Sequence, residues 1–412
     1  MNDKGEDGND AVVTLNPLLE KGWDLDTAKT HMQEYCTILS NWKQERVKLN
    51  RSRKSVVNDF KDCISFVYGF SNELATYILQ LFSPSDALEF FESTAKSRPL
   101  TIRTNTLKTK RRDLAQMLIS RGANVDPIGD WSKIGLVVND HTIPIGATPE
   151  YLAGHYIQQS AASLIPVMAL DPMPDEKILD MSAAPGGKCT HIGQLMNNTG
   201  ILYANDVNKD RCTSLVANIH RMGLTNTIVI NYDGRELVKV LPKMDRVLLD
   251  APCSGLGAKR TVKDIVQMSH LQKQLLCTAV DLCDAQSKNG GIIVYSTCSL
   301  SAEENEMVID YILKNRSVEL CPLLSHEIGV PGFSVFMDKI MHTSIEKYTR
   351  RFYPHLHDLD GFFVAKLKKT SNEIPHRPKR DRRKDIPKVE VTSDSIMDFD
   401  SNKRKQNKHC IE

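Results

Sequence analysis

Between residues 177 and 297, short apolar runs return at regular intervals, and most end on an acidic or small polar residue. Lys177–Asp180, Gly200–Asp206, Thr227–Tyr232, Arg246–Asp250 and Gly291–Ser296 are too uniformly apolar to leave one face in water. They predict strands buried on both faces. Helical spacing fills the gaps, as in His191-Ile192 and Leu195-Met196 after the first run. Strand and helix in sustained alternation predict an α/β domain with a doubly wound, mostly parallel sheet. Gln158–Met168 reads as an apolar helix packed on that sheet. A last hairpin-like pair, Val335–Met337 and Phe362–Leu367, is expected to close it.

The flanking chain has other textures. Residues 1–30 carry little periodicity and are expected to be disordered. Residues 31–95 form a helical module: His31–Lys54, Phe60–Phe70 and Leu74–Phe91, the last broken near Ser83-Pro84. Residues 96–150 read as a small α/β module, with a strand over Arg98–Arg103, a helix over Asp113–Ser120, a stop at Gly122 and a strand at Leu136–Val138. The main domain spans 151–370, and 371–412 lose apolar density and are expected to form a basic, disordered tail.

Composition narrows the class. The 412 residues are 41% hydrophobic and 25% charged, ordinary for a globular chain. No apolar run is long enough to predict a membrane span, and Met1–Asp10 is too polar and acidic for a secretory signal. Ten cysteines are scattered without a C-x-x-C clip. That spacing predicts no structural metal and no disulfide framework, and fits reduced thiols in the cytosol or nucleus. The net charge of +2 hides basic clusters at Lys43–Lys54, Arg98–Arg112, Arg377–Lys384 and Lys403–Lys405. RNA contacts and solvated faces explain such clusters about equally, and the tail runs also suit localisation signals.

The chemistry gathers at the ends of the predicted strands. Ala184-Pro185-Gly186-Gly187-Lys188-Cys189-Thr190 makes a glycine turn between the first strand and its helix, where doubly wound sheets bind ligands. Asp206 ends the second strand 19 residues past Gly187, placed to accept both hydroxyls of a ribose. The turn is not G-x-G-x-x-G, which disfavours a pyrophosphate and favours a nucleoside cofactor without phosphates, S-adenosylmethionine. Asp233 follows the third strand, where it would accept from the adenine amino group. Asp250-Ala-Pro-Cys253-Ser-Gly255 and Tyr295-Ser-Thr-Cys298-Ser299 then put two cysteines just past neighbouring strand ends. A lone buried cysteine is usually a small hydrophobe; two so placed are expected to share one cleft with the cofactor.

These motifs together resemble the RsmB/Sun-type RNA (cytosine-5)-methyltransferases over about Arg98–Leu367. Asn231-Tyr-Asp-Gly-Arg235, Arg350-Arg-Phe-Tyr-Pro-His-Leu-His357 and Asp360-Gly-Phe-Phe363 look most like the nucleolar branch. The resemblance implies a Rossmann-like methyltransferase sheet, an RRM-like subdomain over 96–150, and methylation of large-subunit rRNA during ribosome assembly. It further implies pre-rRNA and assembly factors as partners, and a place in the nucleolus of the nucleus. It assigns Cys298 to attack carbon 6 of cytosine, which makes carbon 5 nucleophilic. Asp250 would meet ring nitrogen 3, Cys253 would assist release, and Lys188 would position the base or favour a thiolate. DNA cytosine methyltransferases use the Pro-Cys cysteine as nucleophile, so Cys253 is the competing candidate; the Thr-Cys-Ser motif favours Cys298.

The sequence departs from the family at three places. Cys189 stands where Thr is more often found, the segment after Gly255 looks shorter, and the long charged N-terminal extension common in the nucleolar branch is expected to be missing. Targeting is therefore expected from the C-terminal basic runs. Two rival readings are a tRNA-directed enzyme and a non-catalytic assembly scaffold with the same fold; intact Asp206, Asp250, Cys253 and Cys298 favour an enzyme.

Overall fold

The regular apolar runs become a nine-stranded sheet in the computed structural model, which describes residues 23–255, 262–289, 291–324 and 328–373. Ahead of it, β1 (Leu100–Thr104), β2 (Ala123–Pro127), β3 (Gly135–His141) and β4 (Tyr156–Gln158) form a separate antiparallel sheet in the order β2-β3-β1-β4. The main sheet begins with β5 (Lys177–Asp180), β6 (Ile201–Asn205), β7 (Thr227–Ile230), β8 (Arg246–Asp250) and β9 (Ile292–Thr297), all parallel. It continues through β10 (Val318–Cys321), β11 (Val330–Pro331), β14 (Thr349–Phe352) and β15 (Phe362–Lys369), while β12 (Val335–Phe336) and β13 (Lys339–Ile340) pair apart. The strand order is β11-β14-β15-β9-β8-β5-β6-β7, with β10 also paired to β15. After β7 the chain crosses to the far side of β5 to lay down β8. The order in which strands are laid down therefore reverses between β5 and β8, the switch point where such folds open a crevice.

Both faces of this sheet are covered, which is why its strands read as unbroken apolar runs. Leu179, Val247, Leu249, Ile293 and Tyr295 bury one face against Leu276 and Val280 of the helix Val262–Leu282 and against Val308 and Ile312 of the helix Glu306–Asn315. Ile178, Leu202, Leu248 and Val294, one residue out of step, bury the other against the helices Ile165–Leu170, Gly187–Leu195 and Lys209–Met222. The doubly wound α/β fold expected from the sequence is the observed one.

Several elements differ from expectation. The first helix is Leu25–Ser40 and starts six residues before the expected boundary at 31, because the Asp24 side chain caps it by accepting from the Thr27 N–H at 2.7 Å. The helix expected over His31–Lys54 is interrupted: Trp42–Glu45 is a separate four-residue helix, and Arg53–Tyr68 begins anew behind the Ser52 cap. The break at Ser83-Pro84 is a helix start, with Ser83 as cap and Pro84 in the first turn of Pro84–Ala95. Gln158–Met168 is not one helix. Gln158 ends β4, pairing with Ile102 of β1, and the α-helix waits until Ile165, where Pro166 can occupy the first turn. The small sheet thus takes its fourth strand from beyond residue 150. Val335 does not pair with the last strand; it faces Ile340, and β15 pairs instead with β9, β14 and β10. The disorder expected before residue 23 and after 373, the basic runs Arg377–Lys384 and Lys403–Lys405, and the segment 256–261 lie outside the described residues.

Candidate active site

Each crossover of the sheet leaves one functional group at its carboxyl edge, in the order β6, β5, β8, β9. Asp180, fully buried, is the last residue of β5. Its Oδ1 accepts from the Ser182 N–H at 3.3 Å, but its buried Oδ2 has no hydrogen-bond partner among the described residues. Burial, reinforced by the negative charge of Asp250 and opposed by Lys188, pushes this carboxyl up to about 7. An orphaned carboxylate oxygen at a switch point is suited to a cationic or hydroxyl group that arrives with a ligand. No motif singles Asp180 out in the sequence, since strand-end acids are common caps.

The turn that follows is shaped for close approach. Gly186 has φ 112°, in the left-handed region, and a Cβ there would stand 3.2 Å from Leu215 Cδ1. Gly187 begins the helix Gly187–Leu195, whose first N–H groups have no intrahelical acceptor. Cys189 and Thr190, grouped with the cofactor residues from sequence, bury their side chains away from the edge. Cys189 lies in the core, and Thr190 Oγ1 binds the Gly186 carbonyl at 2.6 Å and accepts from Arg103 at 2.6 Å. Only their backbone is available to a ligand.

Asp206 follows β6 and is 2% exposed. Its Oδ2 accepts from the Ala184 N–H at 3.2 Å and its Oδ1 from the Asn208 N–H at 2.9 Å, so the acid is locked to the glycine turn. Arg211 Nη1 approaches it to 3.6 Å, and the same guanidinium donates to the Ala184 carbonyl. A ribose at Asp206 would share that acid with Arg211, a residue that no sequence motif marks. Asp233 lies past β7 with its carboxylate turned onto Arg235, which donates to Oδ1 at 3.0 Å. The Arg235 hydrogen bonds hold the Asp233 carboxyl below the usual carboxylate range.

The reactive groups meet between β8 and β9. Lys188 Nζ is 2.8 Å from Asp250 Oδ2 and 3.3 Å from Ser163 Oγ, and it lies 5.5 Å above the Phe362 ring. Ser296 donates to the other Asp250 oxygen at 2.7 Å. Cys253 Sγ and Cys298 Sγ are 3.0 Å apart, with Cys298 exposed and Cys253 half-buried. Their environments push the two thiols in opposite directions. The hydrogen bond from Cys253 lowers the Cys298 pKa, helped by the Lys188 cation against burial and Asp250. The same hydrogen bond, burial and the nearby Glu304 charge raise that of Cys253. These shifts favour the thiolate at Cys298 and the protonated thiol at Cys253.

The six basic residues between Arg98 and Arg112 do not form one free patch. Arg103 is fully buried: it donates to Gln159 Oε1 at 2.8 Å, Gln194 Oε1 at 2.5 Å, Thr190 Oγ1 at 2.6 Å and the Gly187 carbonyl at 3.2 Å. It ties β1 to the helix of the glycine turn. Arg98 pairs with Asp358 at 3.1 Å, Lys108 binds the Ala153 and Arg221 carbonyls at 2.8 Å each, and Arg111 binds the Ser132 carbonyl at 2.8 Å. Lys110 and Arg112 remain exposed. Among the described residues, no cluster of His, Cys, Asp and Glu is spaced to hold a metal ion, and no helix is long and apolar enough to cross a membrane.

A Rossmann-like sheet with two cysteines and a lysine–aspartate pair at its switch point defines a class, and the sequence matches it. The model of the family "16S rRNA methyltransferase RsmB/F" matches residues 167–368. The "Methyltransferase Homolog Protein" of Pyrococcus horikoshii, a solved structure, is 36% identical, with a TM-score of 0.68 and 97% of its chain covered by 74% of this one. This chain belongs to the RsmB/F methyltransferase family. It is 50% identical over 376 residues to the "25S rRNA (cytosine-C(5))-methyltransferase nop2" of Schizosaccharomyces pombe, matching 89% of this chain. It is also 50% identical over 361 residues to the human "28S rRNA (cytosine(4447)-C(5))-methyltransferase". The match spans 62% of the first relative and 44% of the second.

Proposed function

We propose that this protein transfers a methyl group from S-adenosylmethionine to carbon 5 of a cytosine in large-subunit rRNA. The observation that carries this reading is the meeting of two thiols, 3.0 Å apart, beside the Lys188–Asp250 pair. The 50% identity to two enzymes named for large-subunit rRNA cytosines favours rRNA over tRNA. A nucleolar location and a part in ribosome assembly belong to the same proposal.

The residues suit the cofactor. Asp206 would take the ribose, Asp233 the adenine edge, the turn Ala184–Thr190 the close-lying backbone, and Asp180 Oδ2 a donor on the amino-acid part. S-adenosylmethionine, when bound, supplies an electrophilic methyl group on a sulfonium. The protein's task is to make carbon 5 nucleophilic enough to receive it. Cys298, as thiolate, adds to carbon 6 of the ring, forming a C–S bond and moving electron density to carbon 5. Asp250, in its protonated form, donates to ring nitrogen 3 and stabilises the charge that gathers there, with Lys188 and Ser296 fixing its carboxyl group. After transfer, the carbon 5 proton leaves to a base, the C–S bond breaks, and Cys253 passes a proton to the departing Cys298 sulfur. The small sheet is proposed as the RRM-like module, its order β2-β3-β1-β4 carrying the helix Arg111–Ser120 between β1 and β2.

The test is incubation of the purified protein with isotope-labelled S-adenosylmethionine and, separately, undermethylated large-subunit rRNA and tRNA. Labelled 5-methylcytidine in the rRNA digest is the expected product. Label in tRNA alone would reassign the substrate, and label in neither would favour the scaffold.

A further inference from the structure

Glu304 is fully buried, yet no cation among the described residues pairs with it. Five donors converge on its carboxylate. Oε1 accepts from the Ser254 N–H at 2.8 Å and from Gln272 Nε2 at 3.0 Å. Oε2 accepts from the hydroxyls of Ser254 at 2.6 Å and Ser301 at 2.8 Å, and from Ser299. Ser254 directly follows Cys253, and Ser299 directly follows Cys298. One carboxylate therefore holds the turn after β8 and the turn after β9 at equivalent positions, while the two sulfurs meet at 3.0 Å.

The neighbouring groups tighten the same clamp. Asn305 accepts from Thr297 Oγ1 at 2.6 Å and donates to the Ser299 carbonyl at 2.8 Å, bracketing Cys298 from both sides. Tyr295 Oη donates to the Glu304 carbonyl at 2.5 Å. On the outer side, Tyr77 of the helical module accepts from the Ala302 N–H at 3.1 Å and donates to Glu303. A buried carboxylate is costly without full hydrogen bonding. A core-filling role needs no charge, and an apolar residue would serve it better.

We infer that Glu304 is a positioning residue: by binding the serines that follow Cys253 and Cys298, it sets the spacing of the two thiols and keeps one as donor to the other. This inference rests on the cytosine methyltransferase reading above. Its negative charge also faces Cys253 and favours the protonated form of that thiol. Proton hand-over back to Cys298 depends on this order being kept.

The experiment compares the full-length wild type with Glu304→Gln, a neutral residue of the same shape. Two readouts are taken: methyl transfer to undermethylated large-subunit rRNA, and iodoacetamide alkylation of Cys253 and Cys298 against pH, resolved by peptide mass. Glu304→Gln is expected to lower kcat by about 10²-fold, the scale of an ångström-sized misplacement, with KM for rRNA nearly unchanged. Cys253 should alkylate at lower pH than in the wild type, narrowing the gap between the thiols. A variant with wild-type kcat and wild-type alkylation overturns the inference, even if its melting temperature falls. If Glu304→Gln does not fold, Ser254→Ala and Ser299→Ala decide. Each removes one strap and should lower kcat while changing the alkylation of its neighbouring cysteine; no change in either overturns the inference. A wild type that methylates no rRNA, with alkylation altered in Glu304→Gln, sinks the proposed function and leaves the positioning role supported.

Discussion

Lys188 Nζ and Asp250 Oδ2 stand 2.8 Å apart, joining the turn after β5 to the end of β8. The pair spans the point where the strand order reverses, so it exists only because two crossovers run in opposite directions. The lysine acts on more than the aspartate, since its charge also favours the Cys298 thiolate.

Lys188→Met removes that charge. The Cys298 pKa should rise, so the acid limb of the pH–rate profile should move to higher pH, with kcat lower at neutral pH. A limb that stays in place would show that Lys188 does not act on the thiol.

Asp180 and Asp206 are proposed to make separable contributions to the cofactor site. Either Asp206→Ala or Asp180→Asn should weaken S-adenosylmethionine binding about tenfold or more by calorimetry, as expected for a lost hydrogen bond to a charged group. Asp180 also couples to stability. Its folded pKa, about 7, lies above the ordinary 3.8. Its contribution is therefore present in full at acid pH and is lost as pH rises toward and through 7. The ligand-free wild type should melt progressively lower over that range relative to Asp180→Asn, whose uncharged amide does not titrate. Parallel melting curves would contradict the assignment.

Most of the site is legible in the sequence because its groups sit at strand ends, and buried parallel strands announce themselves. Asp206, Asp250, Cys253 and Cys298 each end or follow such a run. What stays hidden depends on contacts between distant segments. Glu303-Glu304-Asn305-Glu306 has the texture of a solvated helix start, although Glu304 and Glu306 are fully buried. β14 carries no apolar signature of a strand, because Thr349-Arg-Arg-Phe352 is polar; Arg351 is buried there by its ion pair with Glu306, its hydrogen bond to the Leu300 carbonyl and the Phe333 ring beneath it. Arg103 reads as part of an RNA-binding surface for the same reason.

Arg103→Ala tests that last point. It leaves Gln159, Gln194 and Thr190 without their buried donor, which should cost about 2–3 kcal/mol of stability in urea unfolding. If stability is unchanged but RNA binding falls, Arg103 is a phosphate contact after all.

Lys110 and Arg112 are exposed, and we propose them as the better RNA contacts. Replacing both with Ala should weaken binding alike for unrelated RNAs and flatten the dependence of log affinity on log salt, by about 0.7–0.9 for each phosphate no longer neutralised. An unchanged slope would move the RNA path elsewhere on the surface.

The division of labour between the thiols is the centre of the proposed mechanism, and one denaturing gel reads it. Labelled large-subunit rRNA is incubated with S-adenosylmethionine and either Cys253→Ala or Cys298→Ala. Cys253→Ala should retain a denaturant-resistant protein–RNA band, because the adduct forms and is not released. Cys298→Ala should give none. A band in Cys298→Ala and not in Cys253→Ala would reverse the two roles and make Cys253 the nucleophile.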